Sequence, residues 1–437
     1  MRASVLEAAL AALLLVLPLL PFHQASAQAQ PSIVLIVADD LGYGEIGAYG
    51  GREVPTPNID ALARSGALLT DGYVSAPQCS PTRAGLMTGR YQQRFGHYFN
   101  PPPASNPAHA RFGLPPSEVT VAQELKARGY ATGLVGKWHL GFKAEHFPLD
   151  RGFDEFFGFL DGGHNYFGDQ RGIPMYRGRT VIHESAHLTT AFARESAAFI
   201  RRHAARPFFL YAAFNATHLP FAEEPAWLAR FAHIADPKRR LFAATLAHLD
   251  WAVGEIVREV AVRGLQRDTL VVFLTDNGCA TKSTCRNTPL RAGKGYVYEG
   301  GIRVPFILSW PGTIPAGQRL GQPVISLDLF PTFLAAATGT NYANPRLDGV
   351  NLLPLLTGRT DAAPHDYLFW GVRSAGAVRH GKWKLVDSPQ PAQLYDLSVD
   401  PSERQNLASS QPAVMAELRR ARQAWASRLA APLWPPE

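Results

Sequence analysis

Two widely separated pairs, Asp39-Asp40 and Asp276-Asn277, offer hard oxygen ligands with no histidine or thiolate among them. Such an all-oxygen set favours calcium, with magnesium as the other hard cation, over zinc. Asp39-Asp40 alone would read as a turn closing a strand. A second acid–amide pair closing a second apolar run favours one shared metal site, where a divalent ion would polarise a substrate oxygen and offset anionic charge. Cys79-Ser80-Pro81-Thr82-Arg83 is the most specific feature of the chain. A lone cysteine is usually a small core residue, but this one opens a polar, proline-containing turn ahead of a helix-like stretch at 83–87. A helix amino terminus stabilises anions, and Arg83 adds a fixed cation suited to an oxyanion. Lys137, His139 and His218 could move protons or hold anionic oxygens. Singly, Lys137 reads as a solvated side chain, His139 as a turn residue and His218 as a cap before Pro220. Gathered at converging strand ends, they read as one site.

That convergence is what the intervening elements predict. Apolar, largely β-branched or aromatic runs occupy 33–37, 131–135, 208–214 and 270–274. Each stops at polar residues: Asp39-Asp40, then Lys137 and His139, then Asn215 and His218, then Asp276-Asn277. Short continuous apolar runs fit strands buried on both faces of a mostly parallel sheet. Helical patterns at 58–65, 120–128, 188–202 and 238–263 alternate with them, which predicts an α/β sandwich with helices on both faces. In such sheets the ligand crevice lies beyond the carboxyl ends of the strands. After about residue 363 the pattern changes. Strand-like pieces at 367–372, 377–379 and 383–386 suggest a small antiparallel sheet, followed by a polar loop at 396–406 and a closing amphipathic helix at 412–429. The expected organisation is a catalytic domain at 28–363 and a small α+β domain at 364–437.

At 437 residues with 46% hydrophobic and 18% charged residues, the chain can bury a sizeable core. The net charge of +7 suits anionic ligands. Its lysines and arginines are scattered, which gives no nucleic-acid-binding stripe. Residues 1–27 read as a signal peptide: Arg2, an apolar run at 8–22, and the small-residue cleavage pattern Ala25-Ser26-Ala27 before Gln28. The run is interrupted by Pro18 and Pro21 and is short for a membrane span, so no stable anchor is expected. The expected location is periplasmic or secreted. Three cysteines are an odd number for an exported protein; Cys279 and Cys285 could pair, which would leave Cys79 alone.

These motifs resemble, in order and over nearly all of the mature chain, the formylglycine-dependent sulfatases of the alkaline phosphatase superfamily. Cys79, Pro81 and Arg83 match the Cys-x-Pro-x-Arg motif, and Ala84-Gly85-Leu86-Met87-Thr88-Gly89-Arg90 matches its extension. Asp39-Asp40-Leu41-Gly42-Tyr43-Gly44, Gly136-Lys137-Trp138-His139-Leu140-Gly141 and Thr275-Asp276-Asn277-Gly278 match further signatures, as do Gly293-Lys294 and Glu299-Gly300-Gly301. Trp383-Lys384 and Leu394-Tyr395-Asp396-Leu397 resemble the small carboxy-terminal domain. The resemblance implies that a formylglycine-generating enzyme oxidises Cys79 to formylglycine (3-oxoalanine). The hydrated aldehyde would attack sulfur, pass through a covalent sulfate hemiester and release sulfate. It implies Asp39, Asp40, Cys79, Asp276 and Asn277 around the metal, and Arg83, Lys137 and Lys294 on the sulfate oxygens. His139 would be base or diol orienter, and His218 acid for the leaving oxygen.

His97, Asn100, His164 and Asn165 lie in loops after these segments and are candidate substrate contacts, as structural roles also allow. Tyr98, Tyr166 and Phe167 could stack on a sugar or aryl face, although core packing fits them equally. Sequence similarity at 90–101 and 158–167 to bacterial carbohydrate sulfatases makes a sulfated carbohydrate the expected substrate. Aryl sulfate hydrolysis, phosphodiester or phosphonate monoester hydrolysis, and sulfated-glycan binding without turnover are the alternatives.

Overall fold

The computed structural model describes residues 30–102, 111–168, 172–280, 284–372, 375–388 and 390–435. The leader expected at 1–27 lies outside them. The strands, in chain order, are β1 (Ser32–Ala38), β2 (Ala67–Leu69), β3 (Gly72–Tyr73), β4 (Ala131–Lys137), β5 (Glu155–Phe159), β6 (Met175–Arg177), β7 (Thr180–Ile182) and β8 (Phe208–Ala213). They continue with β9 (Thr269–Thr275), β10 (Phe306–Ser309), β11 (Gln318–Leu320), β12 (Val324–Ile325), β13 (Tyr367–Val372), β14 (Ala375–His380), β15 (Trp383–Asp387) and β16 (Gln393–Asp396). The α-helices are α1 (Pro57–Arg64), α2 (Cys79–Thr88), α3 (Val121–Lys126), α4 (Leu188–His203) and α5 (Pro225–Ala229). After them come α6 (Pro237–Val262), α7 (Glu299–Ile302), α8 (Leu329–Thr338), α9 (Leu353–Leu356) and α10 (Pro412–Ala426).

Ten strands form one sheet in the order β11-β2-β10-β9-β1-β8-β4-β5-β6-β7. Its centre, β9-β1-β8-β4-β5, is parallel. β1 shows why an unbroken apolar run is required there. Ile33, Leu35 and Val37 enter a core with Leu86 of α2, Leu125 of α3 and Phe333 of α8. Val34, Ile36 and Ala38 enter the opposite core with Ile59 of α1, Phe192 of α4 and Phe242 of α6. Each fully buried aliphatic side chain contributes about 2 kcal/mol, so a polar residue on either face would be costly. The site therefore has to stand where the strands end.

The expected α/β class is observed, and the four apolar runs are the adjacent strands β9, β1, β8 and β4. The edges depart from a parallel pattern. β10 runs antiparallel to β9 and to β2, and β5-β6-β7 is an antiparallel meander. β2, β6, β7 and β11 have three residues each, too few to show a period. α8 is buried along nearly its whole length, and a helix covered on all sides has no amphipathic stripe by which its sequence would show it.

The carboxy-terminal strands form an antiparallel sheet, β13-β14-β15-β16. Met415 and Leu418 of α10 cover one face, against Val378, Leu385 and Leu394. The other face packs Trp370, Val372 and Val386 onto Tyr73, Ile302 and Ile325 of the larger body. Between them Lys384, fully buried, places Nζ 2.8 Å from Glu299 of α7 and 2.9 Å from Glu403. Cys279 and Cys285 are joined by a disulfide, and Cys79 is free and buried. Among the described residues no helix is long and apolar enough to cross a membrane.

Candidate active site

The sheet order makes neighbours of residues far apart in sequence. Asp39 and Asp40 leave β1, Asp276 and Asn277 leave β9 on one side, and Asn215 and His218 follow β8 on the other. Lys137 is the last residue of β4, and His139 follows two positions later. Asp40 and His139 both turn with positive φ, 60° and 58°. Gly136 permits the close approach just before Lys137: a Cβ there would stand 1.9 Å from the carbonyl oxygen of Ala213.

Cys79 is the first residue of α2 and is almost fully buried. Its Sγ lies 3.5 Å from Asp39 Oδ1, 3.9 Å from Asp40 Oδ1 and 3.1 Å from Lys294 Nζ. Lys294 Nζ also donates to both Asp40 oxygens, at 2.8 and 2.9 Å. Lys137, with no exposed surface, donates to Asp39 Oδ2 at 2.6 Å. One turn into α2, Arg83 makes a two-nitrogen contact to Asp276 Oδ2 at 3.0 and 2.8 Å and also reaches Tyr211 Oη and the Lys137 carbonyl. Asn277 Nδ2 donates to Asp40 Oδ1 at 2.7 Å, while Asn277 Oδ1 is buried without a partner among the described residues. His218 Nε2 stands 3.7 Å from Asp40 Oδ2, and its Nδ1 donates to the Leu219 carbonyl at 2.6 Å.

Three buried carboxylates thus face three cations, Arg83, Lys137 and Lys294. Burial would raise the Asp39 carboxyl, but Lys137, then His218, Arg83 and Lys294, hold it far below the usual carboxylate range. Asp276 is pushed up to about 6 by burial and then by Asp39. Burial, followed by Asp276, pushes the Cys79 thiol well up, so an unmodified Cys79 would be a poor thiolate nucleophile. His139 is driven well below its ordinary value by burial and then by Lys137 and Arg83, and its buried Nδ1 lacks a protein partner. Burial lowers His218 too, against the pull of Asp39 and Asp40.

The donor set fits a hard divalent cation. Asp39, Asp40, Cys79 and Asp276 present ligand atoms within 4.8 Å of one another, all buried. The unpartnered oxygen of Asn277 adds a neutral donor, as an oxygen-ligated ion requires.

The four outer candidates are placed differently. His97 is fully buried and donates Nε2–H to Ser80 Oγ at 2.7 Å, and that hydroxyl donates to the His139 carbonyl at 2.6 Å. Asn100 Oδ1 accepts the Ser80 amide at 3.0 Å and so serves the amino end of α2. Both support Ser80 from behind. His164 is buried with its ring nitrogens on the carbonyls of Asn165 and Ile173, and Asn165 is partly exposed beside it. Tyr166 donates its hydroxyl to the carbonyls of Asn215 and His218, and Phe167 packs edge-on against His187. Tyr98 is partly buried, its hydroxyl on the Ala430 carbonyl. Ser80 and Tyr211 join the site's hydrogen bonding without any motif that singles out their roles. A lone hydroxyl inside the otherwise apolar β8 was the available signal for Tyr211.

A family model described as Sulfatase matches residues 31–340, and one described as N-sulphoglucosamine sulphohydrolase, C-terminal, matches 292–425. Arylsulfatase A of Homo sapiens is 38% identical over 89% of this chain and 86% of its own length. N-acetylgalactosamine-6-sulfatase of Sus scrofa is 37% identical over 81% of this chain and 72% of its own. The crystal structure of Ps i-CgsB superposes with a TM-score of 0.88 at 36% identity, covering 93% of this chain and 94% of that one. The same protein has been solved in complex with k-i-k-neocarrahexaose.

Proposed function

Since this chain belongs to the sulfatase family and is a sulfuric ester hydrolase, we propose that it acts on a sulfated carbohydrate through a formylglycine made from Cys79 beside a calcium-class cation. The observation that carries this reading is the setting of Cys79: a buried thiol at the amino end of α2, among three carboxylates and three cations. The carbohydrate substrate is supported by the N-acetylgalactosamine-6-sulfatase relative and by the neighbour that binds a neocarrahexaose.

Asp39, Asp40, Asp276 and Asn277 would hold the cation, which supplies polarisation of a sulfate oxygen and offsets the charge of the ester. Oxidised to formylglycine by the maturation enzyme, the side chain at 79 supplies a hydrated aldehyde, one hydroxyl to attack and a second to lose its proton. The surrounding residues do the rest. Arg83 and Lys137 fix Asp276 and Asp39, and with Lys294 they place positive charge where sulfate oxygens gain electron density. The unpartnered Nδ1 of His139 is the group to orient or deprotonate a hydroxyl at position 79. His218 turns Nε2 to the site while the Leu219 carbonyl holds Nδ1–H, and burial makes its protonated form a stronger acid towards a leaving oxygen. Export through residues 1–27 to the periplasm or medium, and division into 28–363 and 364–437, complete the proposal.

The test is the mass of the tryptic peptide containing Cys79, after export from a host with formylglycine-generating machinery. The expected mass is that of formylglycine, lower than cysteine, with sulfate released from sulfated sugars. Unmodified cysteine, in a host that matures a control sulfatase, would remove the nucleophile.

A further inference from the structure

Outside this site, His187, Glu223 and His248 form a second buried cluster. Glu223 Oε2 lies 3.1 Å from His248 Nδ1, and Oε1 lies 3.4 Å from His187 Nε2. Two imidazoles and a carboxylate are a transition-metal set, but the bonding of His187 opposes that use. Its Nδ1 accepts the Thr189 amide at 3.2 Å, and its Nε2 faces the Ala222 carbonyl at 3.0 Å. A carbonyl only accepts, so the proton sits on Nε2 and neither ring nitrogen has a free lone pair. The rings of His187 and His248 also stack, 4.5 Å and 27° apart, so their in-plane lone pairs run side by side.

The cluster is held together by its own hydrogen bonds instead. Burial pushes Glu223 up to about 7 and lowers both histidines to about 4. Glu223 faces His187 ahead of α4, His248 and Thr245 from α6, and its neighbour Glu224. Trp227 of α5 closes the far side, stacked on His248 at 4.5 Å.

This cluster grips the segment that carries His218. Tyr166 stacks on His187 at 5.2 Å and donates its hydroxyl to the carbonyls of Asn215 and His218, at 3.2 and 2.9 Å. Ala222 and Glu223, four and five residues beyond His218, are the partners of His187 and His248. The segment is therefore fastened on both sides of His218. We propose that Glu223 is a positioning residue that fixes, through His187, His248 and Tyr166, where His218 meets the leaving oxygen. The proposal rests on His218 as the acid.

A displaced acid harms poor leaving groups more than good ones, so phenyl sulfate and 4-nitrophenyl sulfate separate placement from general damage. Aryl sulfates suit a chain 38% identical to an arylsulfatase. Glu223→Ala should lower kcat about 30-fold on phenyl sulfate and less than about 3-fold on 4-nitrophenyl sulfate, with KM unchanged. Glu223→Gln, which keeps the shape and hydrogen bonds of the protonated acid, should restore kcat to within about 3-fold. Tyr166→Phe should show a smaller split in the same direction, and it serves if Glu223→Ala does not fold. Equal losses on both esters, while His218→Ala shows the split, would overturn the positioning role. No split in His218→Ala would overturn the acid role beneath it. Stoichiometric zinc in the purified protein, lost in Glu223→Gln, would make the cluster a metal site and overturn the proposal.

Discussion

Asn277 spends its amide nitrogen on Asp40 and leaves its side-chain oxygen buried without a partner, beside three carboxylates that repel one another. A bound divalent cation would relieve both costs, so it should stabilise the fold independently of turnover. Calcium at about 100 times its dissociation constant should add about 2.7 kcal/mol to the chelator-treated protein. The readout is the thermal midpoint before and after calcium. Asp276→Asn should abolish most of the shift, and a midpoint unmoved by calcium or magnesium would remove the metal from the reading. At this scale the sequence was informative where chemistry and position coincide: acids that end apolar strands had few other uses. It was uninformative about the bonds that His97 and Asn100 make to Ser80 across about 20 residues, a hydrogen-bonding relation that loop composition does not encode.

Helix α2 brings Cys79 and Arg83 to the same point because its first turn faces the strand ends and Asn100 caps it from outside. Asn100→Ala should cost about 1 kcal/mol in urea unfolding, the usual loss for a cap acceptor, with a lower kcat because Cys79 and Ser80 share that turn. An unchanged unfolding midpoint would mean that the Ser80 amide finds another acceptor. Strands β1, β4, β8 and β9 were legible because burial on both faces demands unbroken apolar runs. Their order in the sheet was not, since nothing within a strand names its neighbour. β10 escaped for a related reason: an antiparallel strand of four residues carries too short a pattern to read, and its direction is set by the chain that returns to it.

Across the whole molecule, the small sheet is joined to the larger body by a buried charge cluster as well as by apolar packing. Lys384 with Arg303 and Arg379 holds Glu299 down to about 2 against the burial that would raise it, while Glu403 is pushed up to about 7 by burial. Residues 358–363 are exposed and connect the two parts. Trypsin should therefore cut after Arg359 under native conditions, leaving two fragments that co-elute on gel filtration and separate only in denaturant. Fragments that part without denaturant would show that Lys384 and the Trp370 face contribute little to cohesion. A strand-rich tail was readable from sequence; its buried lysine was not, since the short strand-like piece at 383–386 does not show which of its faces is covered.

The near-complete burial of Cys79 bears on the order of biosynthesis under the proposed oxidation. The oxidising enzyme would have to reach a side chain that is 1% exposed in the finished protein. Such maturation would therefore act on a nascent or still-open polypeptide. The interval available lengthens with the distance along the chain to the last residue needed for closure. Lys384, far along the chain from Cys79, provides such a delay: until it is in place, Glu299 lacks the nearer of its cationic partners and the small sheet is not yet packed on the larger body.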